Sequence, residues 1–367
     1  MQKFILVSLI DPSVSQEQAN DDLEELKSLV HTYGGASVVK IIQKKDHPDK
    51  ASFIGSGKAQ EVKEALISEK ADIVVLNQIV KPTQIYNLQK LLFQPNKEAV
   101  VWDRVDLILN IFSKHANTAE AKLQIELAKM RQMGPKIYGM GMVLSRQTGG
   151  IGTRGIGETN TELMKRHWRV AIMQVKDKLD KLIAERKRQL ERRKEMGVQT
   201  VSLVGYTNAG KTTLFNSITK KNKLAENALF ATLDSTVGRM YIPDINKEIV
   251  VSDTIGFVQN LPPQLVDAFK STLLESIHSD VLLHIIDLSD PKFMQKIDTV
   301  EQILTDLGIG DKKKIYIFNK IDNTIDVNQS GLEQKFADFT PVFISAQNKT
   351  GVSALTNAIA EAIQRNI

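Results

Sequence analysis

The chain of 367 residues contains no cysteine. Disulfide bonds and thiolate metal sites are therefore excluded, and a chain without them suits a reducing compartment, so we expect a cytoplasmic protein. The sequence also lacks any run of about 18 uninterrupted apolar residues, so it predicts no membrane-spanning helix. No internal repeat with a period of about 20–50 residues is present.

Hydrophobic residues make up 42% of the chain and charged residues 25%, which is typical of a soluble globular protein with two or three domains at this length. The net charge is +5. Residues 158–197 hold twelve lysines and arginines against seven acidic residues, so this segment carries an excess equal to that of the whole chain. A local excess of positive charge indicates a polyanionic partner such as a nucleic acid, although a solvated helix face gives the same pattern.

Both ends of the chain alternate strand-like apolar runs with helical patterns. In residues 1–103 this predicts an α/β domain with a parallel sheet, and in residues 198–367 a doubly wound sheet. The strands predicted in the first part are 4–9, 36–42 and 72–76, and the helices are 16–31, 58–69 and 82–93. In the second part the predicted strands are 200–204, 281–288, 314–319 and 342–346, with a hairpin at 239–253 and helices at 211–219, 263–278, 292–307 and 351–364.

Residues 104–197 lie between these two domains and are predicted to form a helical hairpin. One helical pattern covers residues 104–133, and a second covers residues 158–196 before Gly197, a residue type that commonly ends helices. Eight glycines fall within residues 134–157. This composition predicts a mobile loop between two antiparallel helices.

The octapeptide GYTNAGKT at residues 205–212 follows a predicted strand and opens a predicted helix. A phosphate-binding loop requires this context. Gly205 and Gly210 let the backbone curl so that its N–H groups point at a phosphate. Lys211 places a cation on the β- and γ-phosphates of a nucleotide, and Thr212 offers its hydroxyl to Mg²⁺.

The DTIG motif that begins at Asp253 ends a later predicted strand. Asp253 is predicted to hold a water of the Mg²⁺ shell, and the N–H of Gly256 is predicted to reach the γ-phosphate. The first switch segment is assigned to residues 222–240. Within it, Thr232 is the candidate that binds Mg²⁺ and senses the γ-phosphate, with Thr236 as the alternative.

The tetrapeptide NKID predicts recognition of a guanine base. Asp322 can accept two hydrogen bonds, from the N1–H and the exocyclic amine of guanine, whereas adenine offers no such pair of donors. Asn319 is predicted to hold the loop and approach the base edge, and the stem of Lys320 is predicted to lie over the ring. Ser345 and Ala346 follow the next strand and complete the pocket through the N–H of Ala346.

Together these motifs predict a site for GTP or GDP and Mg²⁺. Catalysis is assigned to Lys211, Thr232 and Gly256, and metal binding to Thr212, Thr232 and Asp253. The residues expected to contact the nucleotide and its metal are Gly205, Tyr206, Thr207, Asn208, Ala209, Gly210, Lys211, Thr212, Thr213, Phe230, Ala231, Thr232, Asp253, Thr254, Ile255, Gly256, Asn319, Lys320, Asp322, Ser345 and Ala346.

Phe257 stands where Ras-like proteins have a glutamine that positions the attacking water. A phenyl ring cannot orient water, so intrinsic hydrolysis is expected to be slow unless another residue, a monovalent cation or a partner supplies the missing element. Asn208 is a candidate ligand for such a cation, with K⁺ as the candidate ion. Its amide would equally well stabilise the loop.

The motifs GYTNAGKT, LFATLDST, DTIGF and NKID together resemble those of the HflX family of GTPases. The first half of the chain agrees with this family: FIGSGKAQEV (53–62), the run 102–131 that begins WDRVDLILN, and TGGIGTRGIGETNTEL (148–163) resemble its N-terminal signature, first long helix and glycine-rich segment. The resemblance implies a protein that binds the rRNA and proteins of the large ribosomal subunit and splits or rescues stalled ribosomes. It also implies that the hairpin and its loop approach the peptidyl-transferase region.

From the residues alone, the basic helix and the arginines of the glycine-rich segment, Arg146 and Arg154, are compatible with rRNA phosphates. About twenty residues follow Ala346, enough for a closing helix, so we expect the further C-terminal domain of some family members to be absent. Some family members are credited with ATP hydrolysis in the first half. The GSGK sequence at residues 55–58 is too short for the usual phosphate loop and indicates a tight turn before a helix.

The sequence therefore predicts three domains in an α/β protein that acts as a monomer: a parallel-sheet domain (1–103), a helical hairpin (104–197) and a doubly wound P-loop GTPase domain (198–367). Two alternatives to a ribosome-bound switch remain. One is a nucleotide-regulated module that binds RNA or protein, with turnover indifferent to ribosomes. The other is an RNA-remodelling ATPase that works through the N-terminal half and tolerates the loss of Asp322.

Overall fold

The structure is a computed structural model that describes residues 1–92, 100–147, 154–219, 221, 229–230, 235–259, 265, 273–324 and 328–364, with the backbone only for residues 135–147 and 154–161. The chain forms two compact units. One consists of Met1–Lys114 with Lys122–Asp180, and the other of His115–Ala121 with Lys181–Ile367. Each unit is built around its own sheet.

The sheet of the first unit is parallel, and its four described strands lie in the order β2-β1-β3-β4. The elements are β1 (Lys3–Ile10), α1 (Gln16–Tyr33), β2 (Ala36–Lys44), α2 (Ser56–Ser68), β3 (Ile73–Leu76), α3 (Pro82–Leu91) and β4 (Val100–Trp102). The three strands and three helices that the sequence predicts here are confirmed. The sequence does not predict β4, because three residues are too few to show a strand periodicity.

The two central strands of this sheet are apolar on both faces, because helices connect the parallel strands and cover them. Residues 4–7 of β1 have no exposed surface. The helix that follows, α1, has local start and stop signals. The Ser15 hydroxyl accepts a hydrogen bond from the N–H of Gln18 at 3.1 Å, and Gly34 ends the helix in the left-handed conformation with φ of 88°.

The region predicted as one helix over residues 104–133 is two helices, α4 (Arg104–His115) and α5 (Ala119–Gln147). The prediction of a single helix is therefore wrong. The Thr118 hydroxyl accepts a hydrogen bond from the N–H of Ala121 at 3.2 Å and so caps the start of α5. A short hydroxyl side chain that bonds the backbone in this way starts a new helix where apolar periodicity alone would continue the old one.

The sequence predicts a mobile loop over residues 134–157, and the structure contradicts this for most of the segment. Its first part continues α5, and α6 (Arg154–Glu195) includes its last part, while residues 148–153 lie outside the described residues. A glycine lowers helix stability by about 1 kcal/mol relative to alanine, but scattered glycines among good helix formers do not end a helix. In the first unit the two helices pack together, since the indole N–H of Trp168 donates to the Met130 carbonyl oxygen at 3.0 Å.

The sheet of the second unit has six described strands in the order β10-β9-β8-β5-β7-β6, and only β6 is antiparallel to its neighbour. The elements are β5 (Thr200–Gly205), α7 (Lys211–Thr219), β6 (Thr236–Ile242), β7 (Lys247–Asp253), α8 (Leu274–His278), β8 (Val281–Asp287), α9 (Phe293–Asp306), β9 (Lys314–Asn319), α10 (Gln329–Lys335), β10 (Val342–Phe343) and α11 (Val352–Gln364). The doubly wound fold is confirmed. Within the range predicted as a helix over residues 263–278, the structure describes residue 265 and residues 273–278, and α8 forms the C-terminal end of that range. The sequence does not predict the short α10.

The functional residues predicted from sequence converge because parallel strands end at the same edge of a sheet. β5 ends at Gly205, β7 at Asp253, β8 at Asp287 and β9 at Asn319. The apolar core beneath this edge includes Leu203, which has no exposed surface. In the part of the chain that the structure describes, no helix is both long and apolar enough to span a membrane.

A polar cluster lies between α9 and the strands β8 and β9, around the Glu301 carboxylate of α9. Glu301 accepts hydrogen bonds from the Tyr316 hydroxyl at 2.8 Å and from the Lys314 ammonium, and its Oε1 lies 3.2 Å from Nδ1 of His284. Burial lowers the pKa of His284, so the imidazole is neutral in the folded chain. Burial alone would raise the pKa of Glu301, but the hydrogen bonds from His284, Lys314 and Tyr316 lower it to about 2.

We expect this cluster to make the second unit acid-labile. An unfolded histidine takes up a proton below about pH 6.5, which buried His284 resists, so stability falls as the pH drops below that value. The contribution of Glu301 is present above about pH 4.5 and is lost between that value and about pH 2. Glu301→Gln is expected to cost about 2 kcal/mol at pH 7 and to flatten the acid limb. Thermal unfolding at pH 7, 5.5, 4 and 3 measures this, with exposed Glu248→Gln as control. Equal acid limbs in Glu301→Gln and the wild type would contradict it.

Candidate nucleotide-binding site

The loop between β5 and α7 has the backbone conformation that a phosphate-binding loop needs. Gly205 has φ of 149°, and a Cβ atom there would lie 2.3 Å from the Ile285 carbonyl oxygen. Gly210 has φ of 95°, and a Cβ atom there would lie 2.2 Å from Nδ2 of Asn319. Asn208 also has a positive φ, of 62°. Both glycines are therefore required by conformation and by close contact.

The Lys211 side chain lies at the centre of this loop. The residue is 6% exposed, and its ammonium donates to the carbonyl oxygens of Gly205 at 3.1 Å and Tyr206 at 2.7 Å. The loop thus holds one buried positive charge beneath the start of α7, whose backbone N–H groups point the same way. Thr213 follows in the first turn of α7 and is half-buried. This arrangement favours a polyphosphate anion.

Two of the predicted metal ligands meet at the end of β7. The Thr212 hydroxyl donates to Oδ2 of Asp253 at 2.9 Å, and Asp253 has no exposed surface. The described residues hold no cluster of three or more His, Asp or Glu side chains that would chelate a metal unaided. Mg²⁺ commonly binds through one or two protein oxygens together with substrate phosphates and waters, so one carboxylate and one hydroxyl beside a phosphate loop fit this ion.

The first switch segment is described only in part. Ala231 and Thr232 lie outside the described residues. Phe230 is buried with φ of 60°. The alternative candidate, Thr236, opens β6 and is the register partner of Asp253 on β7. The choice between Thr232 and Thr236 as the γ-phosphate sensor stays a prediction.

The DTIG segment lies directly against the phosphate loop. The N–H of Phe257 donates to the Gly205 carbonyl oxygen at 3.1 Å, and the N–H of Thr207 donates to the Phe257 carbonyl oxygen at 2.7 Å. A Cβ atom on Gly256 would lie 2.8 Å from Nζ of Lys211 and from Cα of Thr207. Only a glycine permits this close approach of DTIG to the phosphate loop.

The side chains of Thr254, Ile255 and Phe257, which flank Gly256, are buried. The Thr254 hydroxyl donates to the Leu203 carbonyl oxygen at 2.6 Å. The N–H of Gln259 donates to the Tyr206 hydroxyl at 2.7 Å. The Phe257 ring is therefore part of the core and does not orient a water by contact.

Asn319 joins three loops through its amide. Its Nδ2 donates to the Ala209 carbonyl oxygen at 2.8 Å, and its Oδ1 accepts from the N–H of Ala346 at 2.9 Å. The Ala346 N–H, predicted to complete the base pocket, thus bonds Asn319 in this structure. Ser345 is buried, and its hydroxyl accepts from the N–H of Asn348 at 3.1 Å. Asn319 holds the phosphate loop and the base loops in register.

Two charged residues of NKID follow the end of β9, at the edge of the sheet where β5 leads into the phosphate loop. Lys320 has φ of 66°, and its ammonium lies 2.7 Å from Oδ2 of Asp287. Asp322 is in a short 3₁₀ helix over residues 321–323 and is exposed. The sequence analysis does not assign Asp287 to the site. Its position at the end of β8, a central strand that lies between two motif-bearing strands, is the signal that could have identified it.

Three protein-family descriptions match consecutive parts of the chain. "GTP-binding GTPase N-terminal" matches residues 20–113, "GTP-binding GTPase Middle Region" matches residues 115–193, and "50S ribosome-binding GTPase" matches residues 200–320. Together they cover most of the chain, in one order and without overlap.

Curated relatives match over nearly the full length. GTPase HflX of Caldanaerobacter subterraneus subsp. tengcongensis is 41% identical over 358 residues, which cover 98% of this chain and 80% of that protein. GTPase HflX of Escherichia coli is 37% identical over 353 residues, which cover 96% of this chain and 82% of that protein.

A solved structure shows the same fold. It is a GTP-binding protein from the archaeon Sulfolobus solfataricus in complex with GDP, which aligns over 100% of both chains with a TM-score of 0.52 and 24% identity. The phosphate loop, DTIG and NKID meet at one edge of a doubly wound sheet, and relatives of 41% and 37% identity match nearly the whole chain. The chain therefore belongs to the HflX family of GTPases, enzymes that bind and hydrolyse GTP.

Proposed function

We propose that the chain is a GTP-controlled switch that binds the large ribosomal subunit, and that it splits or rescues stalled ribosomes. GTP favours the bound state, and hydrolysis releases it. The observation that carries the proposal is the exposed positive charge on α6, where Arg166, Arg169, Lys176 and Lys178 all face solvent. Exposed cations on one helix suit an rRNA backbone. The family description "50S ribosome-binding GTPase" for residues 200–320 supports the same partner.

The proposed chemistry is charge stabilisation and positioning. Lys211 stabilises the β- and γ-phosphates, and the N–H of Gly256 and the loop around Thr232 contact the γ-phosphate. Thr212, Thr232 and Asp253 are the residues that would hold Mg²⁺, which neutralises phosphate charge when it is bound. The contact between the Thr212 hydroxyl and Asp253 supports this set.

The base is proposed to be read by the NKID loop. Asp322 accepts from the two donors on the guanine edge, and the stem of Lys320 covers the ring while its ammonium stays paired with Asp287. Asn319 keeps this loop at a constant distance from the phosphate loop, as its bonds to Ala209 and Ala346 allow. Its role is to position the loops, and the base itself is selected by Asp322.

The attacking water is not oriented by Phe257, because that side chain is buried in the core. We propose that the ribosome, or a monovalent cation such as K⁺ at Asn208, supplies what a glutamine supplies in Ras-like proteins. Asn208 lies in the phosphate loop, where its φ is positive at 62°. We expect slow intrinsic turnover that the large subunit accelerates. We also propose that the protein acts as a monomer in the cytoplasm.

The test is GTP hydrolysis by the purified chain with and without large ribosomal subunits. We expect the subunit to raise the rate about tenfold or more. Charge reversal at Arg166 and Arg169 is expected to weaken this stimulation. It should also reduce the slope of the logarithm of the subunit-binding constant against the logarithm of the salt concentration, by roughly one unit for each phosphate that is no longer neutralised. Lys335→Glu, an exposed cation of α10, is the matched control and is expected to behave as the wild type.

The outcomes separate the hypotheses. A rate indifferent to ribosomes, with RNA or protein still bound, would favour a nucleotide-regulated binding module. ATP hydrolysis that survives the loss of Asp322 would favour an ATPase in the N-terminal half. The structure gives that alternative no support at residues 55–58, since the Lys58 ammonium lies in the first turn of α2 and pairs with Glu61 at 2.6 Å.

A further inference from the structure

One arginine of α6, Arg186, contacts three other elements of the second unit. Its guanidinium donates to Oε2 of Glu120 in the first turn of α5 at 3.0 Å and to the Ser235 hydroxyl just before β6. It also lies 3.5 Å from Oε1 of Glu275 on α8. Arginine can do this because its five N–H donors form a planar fork, which a lysine ammonium cannot reproduce.

These contacts are largely desolvated. The side chain of Arg186 is 21% exposed, that of Glu120 14% and that of Glu275 6%. Arg193, further along the same face of α6, lies 3.3 Å from Oε2 of Glu275. Two cations and two carboxylates thus neutralise one another around a cavity of about 340 Å³. Breaking such a partly buried set by removing one member leaves a poorly solvated charge, so the contacts persist in the folded state.

Ser235, one of these partners, adjoins the nucleotide site. It precedes Thr236, the register partner of Asp253, and stands three residues after Thr232. Arg186 therefore holds the point at which the first switch segment joins the sheet. A residue that is already held in place loses less conformational entropy when a ligand binds beside it.

Glu275, another partner, adjoins a chain of buried serines. The hydroxyl of Ser276 lies 2.8 Å from that of Ser202 on β5, which lies 2.9 Å from that of Ser252 on β7. Ser252 is the residue before Asp253. α8 is thus fastened to the strands that lead into the phosphate loop and into DTIG, and arginines of α6 hold it from the other side.

We propose that Arg186 is a positioning residue for GTP hydrolysis. Through Ser235 it holds the start of β6, where the first switch segment joins the sheet, and through Glu275 it holds α8 against α6. These contacts keep Thr236 and Asp253 in place beside the phosphate loop. The guanidinium acts through Ser235 and Glu275 and does not touch the nucleotide. The inference rests on the proposed assignment of the first switch to residues 222–240.

The test compares Arg186→Ala, Arg186→Lys, Ser235→Ala and the double Arg186→Ala/Ser235→Ala variant in the full chain without ribosomes. Arg188→Ala is the matched control, because Arg188 is exposed on the same helix and donates to the Ala184 carbonyl oxygen of its own turn at 3.4 Å. We measure single-turnover GTP hydrolysis and the affinities for GDP and a non-hydrolysable GTP analogue. Melting temperature monitors folding.

We expect Arg186→Ala to slow the single-turnover step about tenfold and to weaken binding of the GTP analogue more than binding of GDP, since only the triphosphate has the γ-phosphate that the first switch segment is proposed to contact. Arg186→Lys is expected to recover part of the rate. The double variant is expected to be no slower than the slower single variant, because both changes break the same interaction.

Equal rates in Arg186→Ala and Arg188→Ala, or a lowered melting temperature with an unchanged single-turnover rate, would show a structural role only and overturn the proposal. So would effects of Arg186→Ala and Ser235→Ala that multiply in the double variant. Thr232→Ala and Thr236→Ala serve as references for the switch assignment. If neither slows hydrolysis, the assignment itself fails, whatever Arg186→Ala does.

Discussion

Replacing Asp322 with asparagine is expected to lower the affinity for GTP by about 100-fold or more and to raise the affinity for xanthosine triphosphate. The carboxylate accepts from both N1–H and the exocyclic amine of guanine. An asparagine amide keeps one acceptor but turns an N–H donor toward the amine, so two donors face each other in a desolvated contact. Xanthine has a carbonyl oxygen in place of that amine and accepts the amide N–H instead.

Equilibrium binding of fluorescent GTP, GDP, ATP and xanthosine triphosphate to the purified variant measures this exchange. Asp338→Asn is the matched control, because Asp338 is an exposed aspartate in another short 3₁₀ helix of the same unit. Since Asp322 is exposed, its replacement should leave the melting temperature of the nucleotide-free chain unchanged, so a loss of affinity reports recognition rather than unfolding. Unaltered GTP affinity in Asp322→Asn would place base recognition elsewhere.

Gly256→Ala is expected to slow GTP hydrolysis about 100-fold while leaving GDP affinity within a few-fold of the wild type. The added methyl group would lie 2.8 Å from Nζ of Lys211 and from Cα and Cγ2 of Thr207. Distances this short force DTIG away from the phosphate loop. GDP has no γ-phosphate for the Gly256 N–H to reach, so its binding does not depend on this approach.

The measurement is single-turnover hydrolysis alongside GDP and GTP affinities, which separates a defect in chemistry from a defect in binding. Gly57→Ala is the matched control, because a Cβ atom at Gly57 meets nothing within 4 Å. A Gly256→Ala variant that hydrolyses GTP at the wild-type rate would remove Gly256 from the proposed catalytic set. Equal losses of GDP and GTP affinity would instead point to a collapsed phosphate loop.

Much of the site is readable from sequence because its requirements are local. A phosphate loop needs glycines at positive φ and a lysine at the start of a helix, and the spacing of GYTNAGKT meets that need within eight residues. The order of DTIG and NKID after it then predicts the doubly wound sheet, since each motif ends a strand. Apolar runs of about six to nine residues identify most strands for the same local reason.

The helical region shows where local reading fails. Apolar periodicity continues across residues 116–118, yet Thr118 caps a new helix there. Glycine content predicts a loop over residues 134–157, yet most of that segment has helical backbone. At Thr118 a specific hydrogen bond starts a new helix despite the continuous apolar pattern. Over residues 134–157 the flanking helices extend into a segment whose glycine content predicts a loop.

The sequence by itself determined the nucleotide class and the alternation of strands and helices, and it predicted the charged and glycine residues of the candidate site. The tertiary structure alone decided which of those groups meet. Asn319 bonds Ala209 and Ala346, Phe257 enters the core, and Arg186 contacts Ser235 and Glu275. These pairs are separated by tens of residues or more along the chain. Their distances depend on sheet order and helix packing, which no local pattern of residues encodes.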